Sequence, residues 1–196
     1  MDRLQTGQPK EITCFSDQPP VVICTDGASE GDDHTIGGIV SNGDQLEYFA
    51  CRVPDPLVRE WFSSYKHTIG LVEMYAVLVA AEVWADLVKG RRVIYFIDNQ
   101  SSLDALIKGT SSSELFRAML ERWENLDVNS GAMNWFARVP SHSNPADGPS
   151  RGDHTLMESL GAMIRERIKC PILGDHLETL EFEKSGGEGL KHVKRS

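Results

Sequence analysis

The chain has 196 residues, with 20 basic and 29 acidic side chains and a formal net charge of −9. Hydrophobic residues make up 40% of it and charged residues 25%, which excludes global disorder and a fibrous repeat. The length fits one domain with a short extension. The acidic balance excludes a protein that holds nucleic acid by bulk positive charge alone, but it is compatible with a site that holds cations.

The sequence also predicts the cellular compartment of the protein. No apolar run approaches the roughly 18 residues of a membrane span, so we expect no membrane partner. The N-terminal segment has no apolar signal core, which predicts an intracellular chain that is not secreted. The cysteines lack paired spacing, which predicts free thiols rather than a disulfide framework or a zinc site; they are Cys14, Cys24, Cys51 and Cys170.

The first part of the chain predicts an arm followed by three strands. Residues 1–20 are polar and contain prolines, so we expect an N-terminal arm. An apolar, β-branched run at residues 21–26 predicts a buried strand. Strand-like segments at 35–40 and 46–53 flank Asn42-Gly43, a strong hairpin signal. We therefore expect an antiparallel meander.

Apolar spacing becomes helical over residues 71–88, and both faces of this helix are apolar. Such a helix is central and buried rather than superficial. A second apolar run predicts a strand at 93–98. A helix at 102–108 follows, with Ser101 and Asp104 spaced as a capping box and Gly109 at its end.

The remaining elements complete an α/β order. We expect a helix at 113–126, a strand at 133–139 and a helix that begins at Asn144-Pro145. The order β-β-β-α-β-α-α-β-α predicts a mixed sheet with helices packed on it. Residues 152–196 are expected to form a C-terminal extension, with a helical patch at 155–168 and a flexible end.

Four carboxylates stand out by their place in these elements. Asp26 ends the first buried strand and Asp98 ends the fourth, so parallel pairing would bring both to the edge where α/β proteins place ligands. Glu73 lies on the sheet-facing stripe of the central helix, and Asp147 lies in the first turn of the last helix. Converging carboxylates repel unless cations lie between them, and oxygen ligands suit Mg²⁺ or Mn²⁺.

Each acid also has an ordinary structural explanation. Asp26 fits a turn, Asp98 a strand end or helix cap, and Asp147 a first-turn acid that complements the helix dipole. Glu73 is hardest to explain in this way, because an unpaired acid on a buried face is costly. Glu82 lies about half a turn out of phase with Glu73, so we expect it to be solvated or salt-bridged.

Four segments carry a resemblance to a known family. They are TDGAS at 25–29, LVEMYAVLVAAEVW at 71–84, YFIDNQSSLDALIKG at 95–109 and VPSHSNPADGPSRG at 139–152. In this order they resemble the ribonuclease H domain of a retroelement reverse transcriptase polyprotein, of the retrotransposon type. The resemblance spans about residues 21–151. It implies a ribonuclease-H-like, mixed five-stranded sheet, with three antiparallel strands plus parallel strands, flanked by helices.

The resemblance also implies an activity, cofactors and partners. The implied protein is an endonuclease that hydrolyses the RNA strand of RNA–DNA hybrids with two Mg²⁺ (or Mn²⁺) ions. Its four metal-ligand places fall on Asp26, Glu73, Asp98 and Asp147, with Asp26 between both ions. Reverse transcription is the implied process, with a polymerase (reverse transcriptase) domain in cis or in trans as partner.

Further residues are assigned by the same resemblance. His142 takes the place of a histidine that assists proton movement or product release, although its spacing to Asp147 is shorter than in cellular enzymes. RNA ribose 2′-hydroxyls are expected to be contacted by the backbone of Gly27, Ala28 and Ser29 and by Asn99. The stretch 111–127 lacks the basic protrusion of many cellular relatives, which predicts that hybrid affinity comes mainly from a neighbouring domain or chain.

Other nucleases of related fold predict other orders of acidic residues. A transposase or integrase core would show the order Asp, Asp, Glu, and a proofreading exonuclease would show Asp-x-Glu in its first strand. Neither pattern fits the chain, where Asp26 precedes Gly27 and Ala28. A non-catalytic ribonuclease-H-like scaffold or binding module in a larger nucleic-acid-processing complex stays open, although degenerate copies usually lose acids and all four candidates are present here.

Overall fold

The computed structural model describes residues 17–64, 68–172, 179–183 and 191–193. The strands in this part of the chain form two sheets. They are β1 (Val21–Glu30), β2 (Asp33–Ser41), β3 (Leu46–Arg52), β4 (Arg92–Ile97), β5 (Met133–Arg138), β6 (Met163–Ile164), β7 (Arg167–Pro171), β8 (Thr179–Glu183) and β9 (Lys191–Val193). The first sheet has the order β5-β4-β1-β2-β3-β6, and the second has the order β7-β8-β9.

The helices flank the first sheet. They are α1 (Asp55–Ser64), α2 (Ile69–Val83), α3 (Ala85–Val88), α4 (Gln100–Lys108), α5 (Glu114–Ser130), α6 (Asp147–Ser150) and α7 (Thr155–Ser159), with a 3₁₀ turn at Ser141–Ser143. No helix within the described residues is long and apolar enough to cross a bilayer.

The first sheet is mixed, as the sequence predicts. β1 pairs antiparallel with β2 and parallel with β4, and β4 pairs parallel with β5. The register Thr25↔Ile97 aligns the residues that precede Asp26 and Asp98. Both acids therefore lie at the carboxyl edge of neighbouring parallel strands. The sheet has six strands rather than five because the two-residue strand β6 adds to β3.

Helix α2 is the centre of the core. Residues 71–81 and Val83 are all buried, which confirms a central helix with apolar residues on every side. Glu82 is the exception, and it forms a salt bridge with Arg122 of α5. The predicted helix to residue 88 is interrupted at Trp84, where ψ is 22° and the indole Nε1 donates to Glu47 Oε1 at 2.9 Å. One further turn, α3, then continues the chain.

Two predicted helix starts are wrong in detail. Helix α4 begins at Gln100, because Asn99 keeps an extended backbone after β4 and accepts a hydrogen bond from Ser102 N at 3.0 Å; the predicted cap at Ser101 lies inside the helix. Asn144 does not cap a helix directly, since its Oδ1 accepts from Ala146 N at 3.2 Å and α6 starts at Asp147.

Two other segments differ more strongly from the prediction. Helix α1 was not predicted, although its Leu57 and Trp61 are fully buried. The predicted helix at 155–168 ends at Ser159, because Gly161 takes a positive φ of 66° and the chain turns into β6 and β7.

Strand β7 of the C-terminal extension packs into the main core. Ile168 and Cys170 of β7 are buried in the main core, and Tyr75 Oη donates to Pro171 O at 2.8 Å. Residues 185–189, where a flexible end was expected, lie outside the described residues.

Candidate active site

Three of the four predicted acids come together at the carboxyl edge of the first sheet. Asp26 belongs to β1, Asp98 follows β4 directly, and Glu73 lies in the second turn of α2. One carboxylate oxygen from each lies within 4.8 Å of the others. The convergence follows from parallel β1–β4 pairing and from the close approach of α2 to β1.

Gly27 makes that close approach possible. A Cβ built on Gly27 would lie 2.8 Å from Glu73 N and 2.9 Å from the carbonyl carbon of Val72. These neighbours are backbone atoms, which cannot move aside as the end of a flexible side chain can. Only glycine therefore fits at position 27 against this helix. Gly27 was predicted to contact substrate, whereas this packing role was not predicted from the sequence.

The acidic cluster is buried and incompletely hydrogen-bonded. Asp26 is 3% exposed and Glu73 is 6% exposed. Glu73 Oε2 and Asp98 Oδ1 are buried and have no hydrogen-bond partner among the described residues. Most buried polar atoms in folded proteins have a partner, and buried charges are paired or coordinate metals. The two unpartnered oxygens therefore fit the ligand shell of a cation.

The titration of two of these acids reflects the same crowding. Burial first, and then the charges of Asp26 and Asp98, raise the pKa of Glu73 from 4.5 to about 10. Burial also raises the pKa of Asp26 from 3.8 to about 6, against a hydrogen bond from Ser150 that lowers it. Without a cation Glu73 thus retains its proton at neutral pH, and a bound cation would displace it.

Asp147 lies beside this cluster but outside it. Its Oδ1 accepts from Arg151 Nε at 2.8 Å, and Arg151 also pairs with Glu30 at 3.1 Å. Asp147 is nevertheless close enough for its charge to raise the pKa of Asp26. The structure therefore places the predicted fourth ligand next to the other three, with its carboxylate turned to an arginine.

Ser150 contacts the cluster, although the sequence did not predict it as a site residue. Its hydroxyl donates to Asp26 Oδ2 and bridges to Asp147 O, so α6 orients an acid of β1. Gly37 of β2 allows α6 to lie this close, because a Cβ there would be 2.6 Å from Ser150 N. A paired glycine inside a strand run, Gly37-Gly38, is the sequence signal that indicates such an approach.

The other predicted site residues lie on β1, at the start of α4 and on the turn before α6. His142 is exposed on the 3₁₀ turn that precedes α6. Gly27 and Ala28 are buried, whereas Ser29 is exposed and its Oγ lies 3.0 Å from His34 Nδ1. The Oδ1 of Asn99 is engaged as the cap of α4.

The donor set fits a hard divalent cation. The converging atoms are all carboxylate oxygens, which Mg²⁺ and Mn²⁺ prefer over nitrogen or sulfur ligands. The orphaned oxygens of Glu73 and Asp98 supply open coordination positions. The site thus has the ligands for divalent metal binding at the carboxyl end of parallel strands.

Comparison with known proteins defines the fold. The sequence matches no protein-family model and no curated protein. Solved structures match in fold. Ribonuclease H1 of the archaeon Halobacterium salinarum NRC-1 has a TM-score of 0.54 at 20% identity, covering 71% of this chain and 99% of that chain.

Two further neighbours agree. LC11 ribonuclease H1, solved in complex with an RNA/DNA hybrid and isolated from compost by a metagenomic approach, has a TM-score of 0.54 at 15% identity over 71% of this chain and 99% of that chain. The N-terminal ribonuclease H domain of a Mycobacterium tuberculosis protein, fused to maltose-binding protein, has a TM-score of 0.51 at 15% identity over 73% of this chain and 99% of that chain. These similarities establish a ribonuclease-H-like fold for the chain.

Proposed function

We propose that this protein is a ribonuclease H-type endonuclease that hydrolyses the RNA strand of RNA–DNA hybrids. The observation that carries the proposal is the cluster of Asp26, Glu73 and Asp98, with two orphaned oxygens, at the carboxyl edge of a ribonuclease-H-like sheet. A structural neighbour bound to an RNA/DNA hybrid supports the substrate class.

The proposal includes two divalent cations, Mg²⁺ or Mn²⁺. When bound, such ions supply a water of lowered pKa and offset charge at the scissile phosphate. Asp26, Glu73 and Asp98 would hold them, and the Ser150 hydroxyl would keep Asp26 oriented. Asp147 would join as the fourth ligand after its salt bridge with Arg151 breaks. The Asp147 and Arg151 side chains are 44% and 49% exposed, so separating them costs little free energy.

Groups outside the cluster would position the RNA strand. His142 is exposed on the turn before Asp147, where its imidazole can carry protons near the leaving oxygen or assist product release. The backbone of residues 27–29 and the side chain of Asn99 would contact ribose 2′-hydroxyls, which distinguish RNA from DNA. Because Asn99 Oδ1 caps α4, its amide nitrogen is the group that would face the ribose.

We also propose that the domain serves an intracellular retroelement reverse transcriptase. The basis is the resemblance of residues 21–151, since their motifs match the retrotransposon type. Acidic residues outnumber basic ones by 18 to 11 in this range, which opposes tight binding of a polyanion. A polymerase domain, in cis or in trans, would therefore supply most of the affinity for the hybrid.

A cleavage assay tests the proposal. A labelled RNA–DNA hybrid would be incubated with the protein beside matching double-stranded RNA and DNA, with Mg²⁺, Mn²⁺ or a chelator. Asp26→Asn removes a cluster ligand, and Asp44→Asn is the matched control because Asp44 is exposed in the β2–β3 turn. We expect metal-dependent cleavage of only the RNA strand, retained in the control and lost in Asp26→Asn.

A negative result is also informative. If the protein cleaves nothing with either metal, the assay would be repeated with a reverse transcriptase polymerase domain added in trans. Cleavage that appears only then supports the proposed partner. Continued inactivity would contradict the enzyme and favour the scaffold alternative.

A further inference from the structure

Two thiols that are distant in sequence touch in the core. Cys51 of β3 and Cys170 of β7 are separated by 119 positions, and their Sγ atoms lie 3.7 Å apart. Cys51 is 3% exposed and Cys170 is fully buried. Cys24, by contrast, is buried in a separate apolar cluster on the other face of the sheet.

Contacts around β7 hold this pair together. Ile168 of β7 is buried in the main core, and Tyr75 Oη donates to Pro171 O at 2.8 Å. Tyr75 lies on α2, two residues after Glu73. Strand β7 is thus docked against the helix that carries an acid of the candidate active site, and Cys170 is directed at β3 by that docking.

We propose that Cys51 and Cys170 are a modification site, at which a disulfide joins β3 of the first sheet to β7 of the second. The oxidant is a small-molecule disulfide such as glutathione disulfide. One protein thiolate attacks it, forming a mixed disulfide and releasing one reduced glutathione. The second protein thiolate then attacks the protein sulfur of that mixed disulfide and releases another. Two thiols lose their protons, one protein S–S bond forms, and one glutathione disulfide is reduced.

The native environment sets how this reaction proceeds. Hydrogen bonding to Cys170 and burial raise the pKa of the Cys51 thiol well above its ordinary range. Thiolates, not thiols, are the nucleophiles, and buried cysteines are inaccessible to oxidants. The bond therefore forms when β7 opens transiently or as the chain refolds, and it then retains the strand in its docked position.

The test uses the full chain with Cys14→Ala and Cys24→Ala, which leaves Cys51 and Cys170 as its only thiols. This variant would be refolded from denaturant with glutathione disulfide, and in parallel with a reductant. Free thiols, intact mass, peptide mapping and thermal unfolding would be measured. A further Cys170→Ala substitution gives the matched control, in which the intramolecular bond cannot form.

We expect the oxidised chain to lose both free thiols and the mass of two hydrogen atoms, with one peptide joining residues 51 and 170. The bond would join two residues that are already in contact and lie far apart in sequence. We therefore expect Tm to rise by about 5–15 °C and to fall back to its original value when reductant is added. Thiols that persist after refolding in the oxidant, bonds only between chains, or a disulfide that lowers Tm would each overturn the proposal. Hybrid cleavage is not part of the readout, so the result is independent of the proposed function.

Discussion

Gly27 lies against the backbone of Glu73, and the distance from an added Cβ to Glu73 N would be only 2.8 Å. One residue of β1 carries the buried carboxylate of Asp26, and the next carries no side chain at all. Because Gly27 has no side chain, α2 lies close enough to β1 for the carboxylate of Glu73 to lie near that of Asp26. The geometry of the cluster therefore depends on a residue that has no ligand atom.

Gly27→Ala should disrupt the candidate active site without removing any acid. The new methyl group would push α2 away from β1 and separate Glu73 from Asp26 and Asp98. Overpacking of this kind costs about 1–3 kcal/mol of unfolding free energy. We expect weaker Mn²⁺ binding by calorimetry and a loss of any hybrid cleavage.

Gly70→Ala, a glycine-to-alanine change within α2 itself, is the matched control. A Cβ at Gly70 would meet Phe116 at 3.5 Å, an ordinary contact, and alanine favours helix. If Gly27→Ala bound metal as well as Gly70→Ala does, the close approach would not control the site.

Glu73→Gln should stabilise the metal-free protein at alkaline pH. The pKa of Glu73 is raised to about 10 in the folded state from 4.5, so the folded chain holds a proton that the unfolded chain releases over that interval. The contribution of Glu73 to the free energy of unfolding is therefore fully present below about pH 4.5, and it is lost as the pH rises toward 10. At pH 8 without metal, we expect the variant to gain about 1–3 kcal/mol, or several degrees in Tm.

Two comparisons check the origin of that gain. The wild-type Tm should fall from pH 5 to pH 9 more steeply than the Tm of Glu73→Gln, and Mg²⁺ should raise the wild-type Tm more than the variant's. If Tm depended on pH in the same way for both proteins in the presence of a chelator, the raised pKa of Glu73 would not be the cause.

Arg151→Gln should release Asp147 from its salt bridge and make the electrostatic potential at the cluster more negative. Arg151 now pairs with Asp147 and Glu30, and its charge lowers the pKa of Asp26. An exposed pair is worth up to about 1 kcal/mol, so Mn²⁺ should bind up to about fivefold more tightly at low salt. Calorimetry without nucleic acid isolates this effect from any substrate contact.

Arg138→Gln provides the comparison for that measurement. Arg138 is exposed at the same edge of the sheet, in register with Ile97, and forms no salt bridge within the described residues. Equal metal affinities for the two variants would mean that general charge, rather than release of Asp147, controls binding.

The site was predictable from sequence where a backbone pattern carries it. Asp26 and Asp98 each end an apolar run, and parallel pairing brings such ends together. Glu73 was identifiable because it interrupts a buried helical face. The contact between Ser150 and Asp26 spans 124 positions, and a hydroxyl has no periodic pattern that predicts such a partner. The i,i+4 spacing of Asp147 and Arg151, however, was a usable signal of their salt bridge.

The C-terminal segment shows the limit of local patterns. Its apolar residues at 155–168 fit a helical spacing, yet Gly161 divides them and the second half is extended. Strand β7 pairs with the next strand, β8, and it is also held by α2, where the contact between Tyr75 and Pro171 spans 96 positions. Tertiary burial therefore decides its conformation, and single-sequence periodicity does not contain that information.

Ile168→Ala should destabilise the whole protein, although it lies beyond the segments that resemble ribonuclease H. Ile168 is 1% exposed and packs in the main core, so truncation would leave a cavity. Such substitutions cost about 3 kcal/mol, equivalent to a fall in Tm of about 6–12 °C at this chain length. Lys169→Ala, exposed on the same strand, should change Tm by less than about 2 °C. Thermal unfolding of both variants in reductant measures the difference. Equal effects would mean that β7 is an appendage, whereas the expected contrast would make it part of the cooperative unit that holds α2, and with it Glu73, in place.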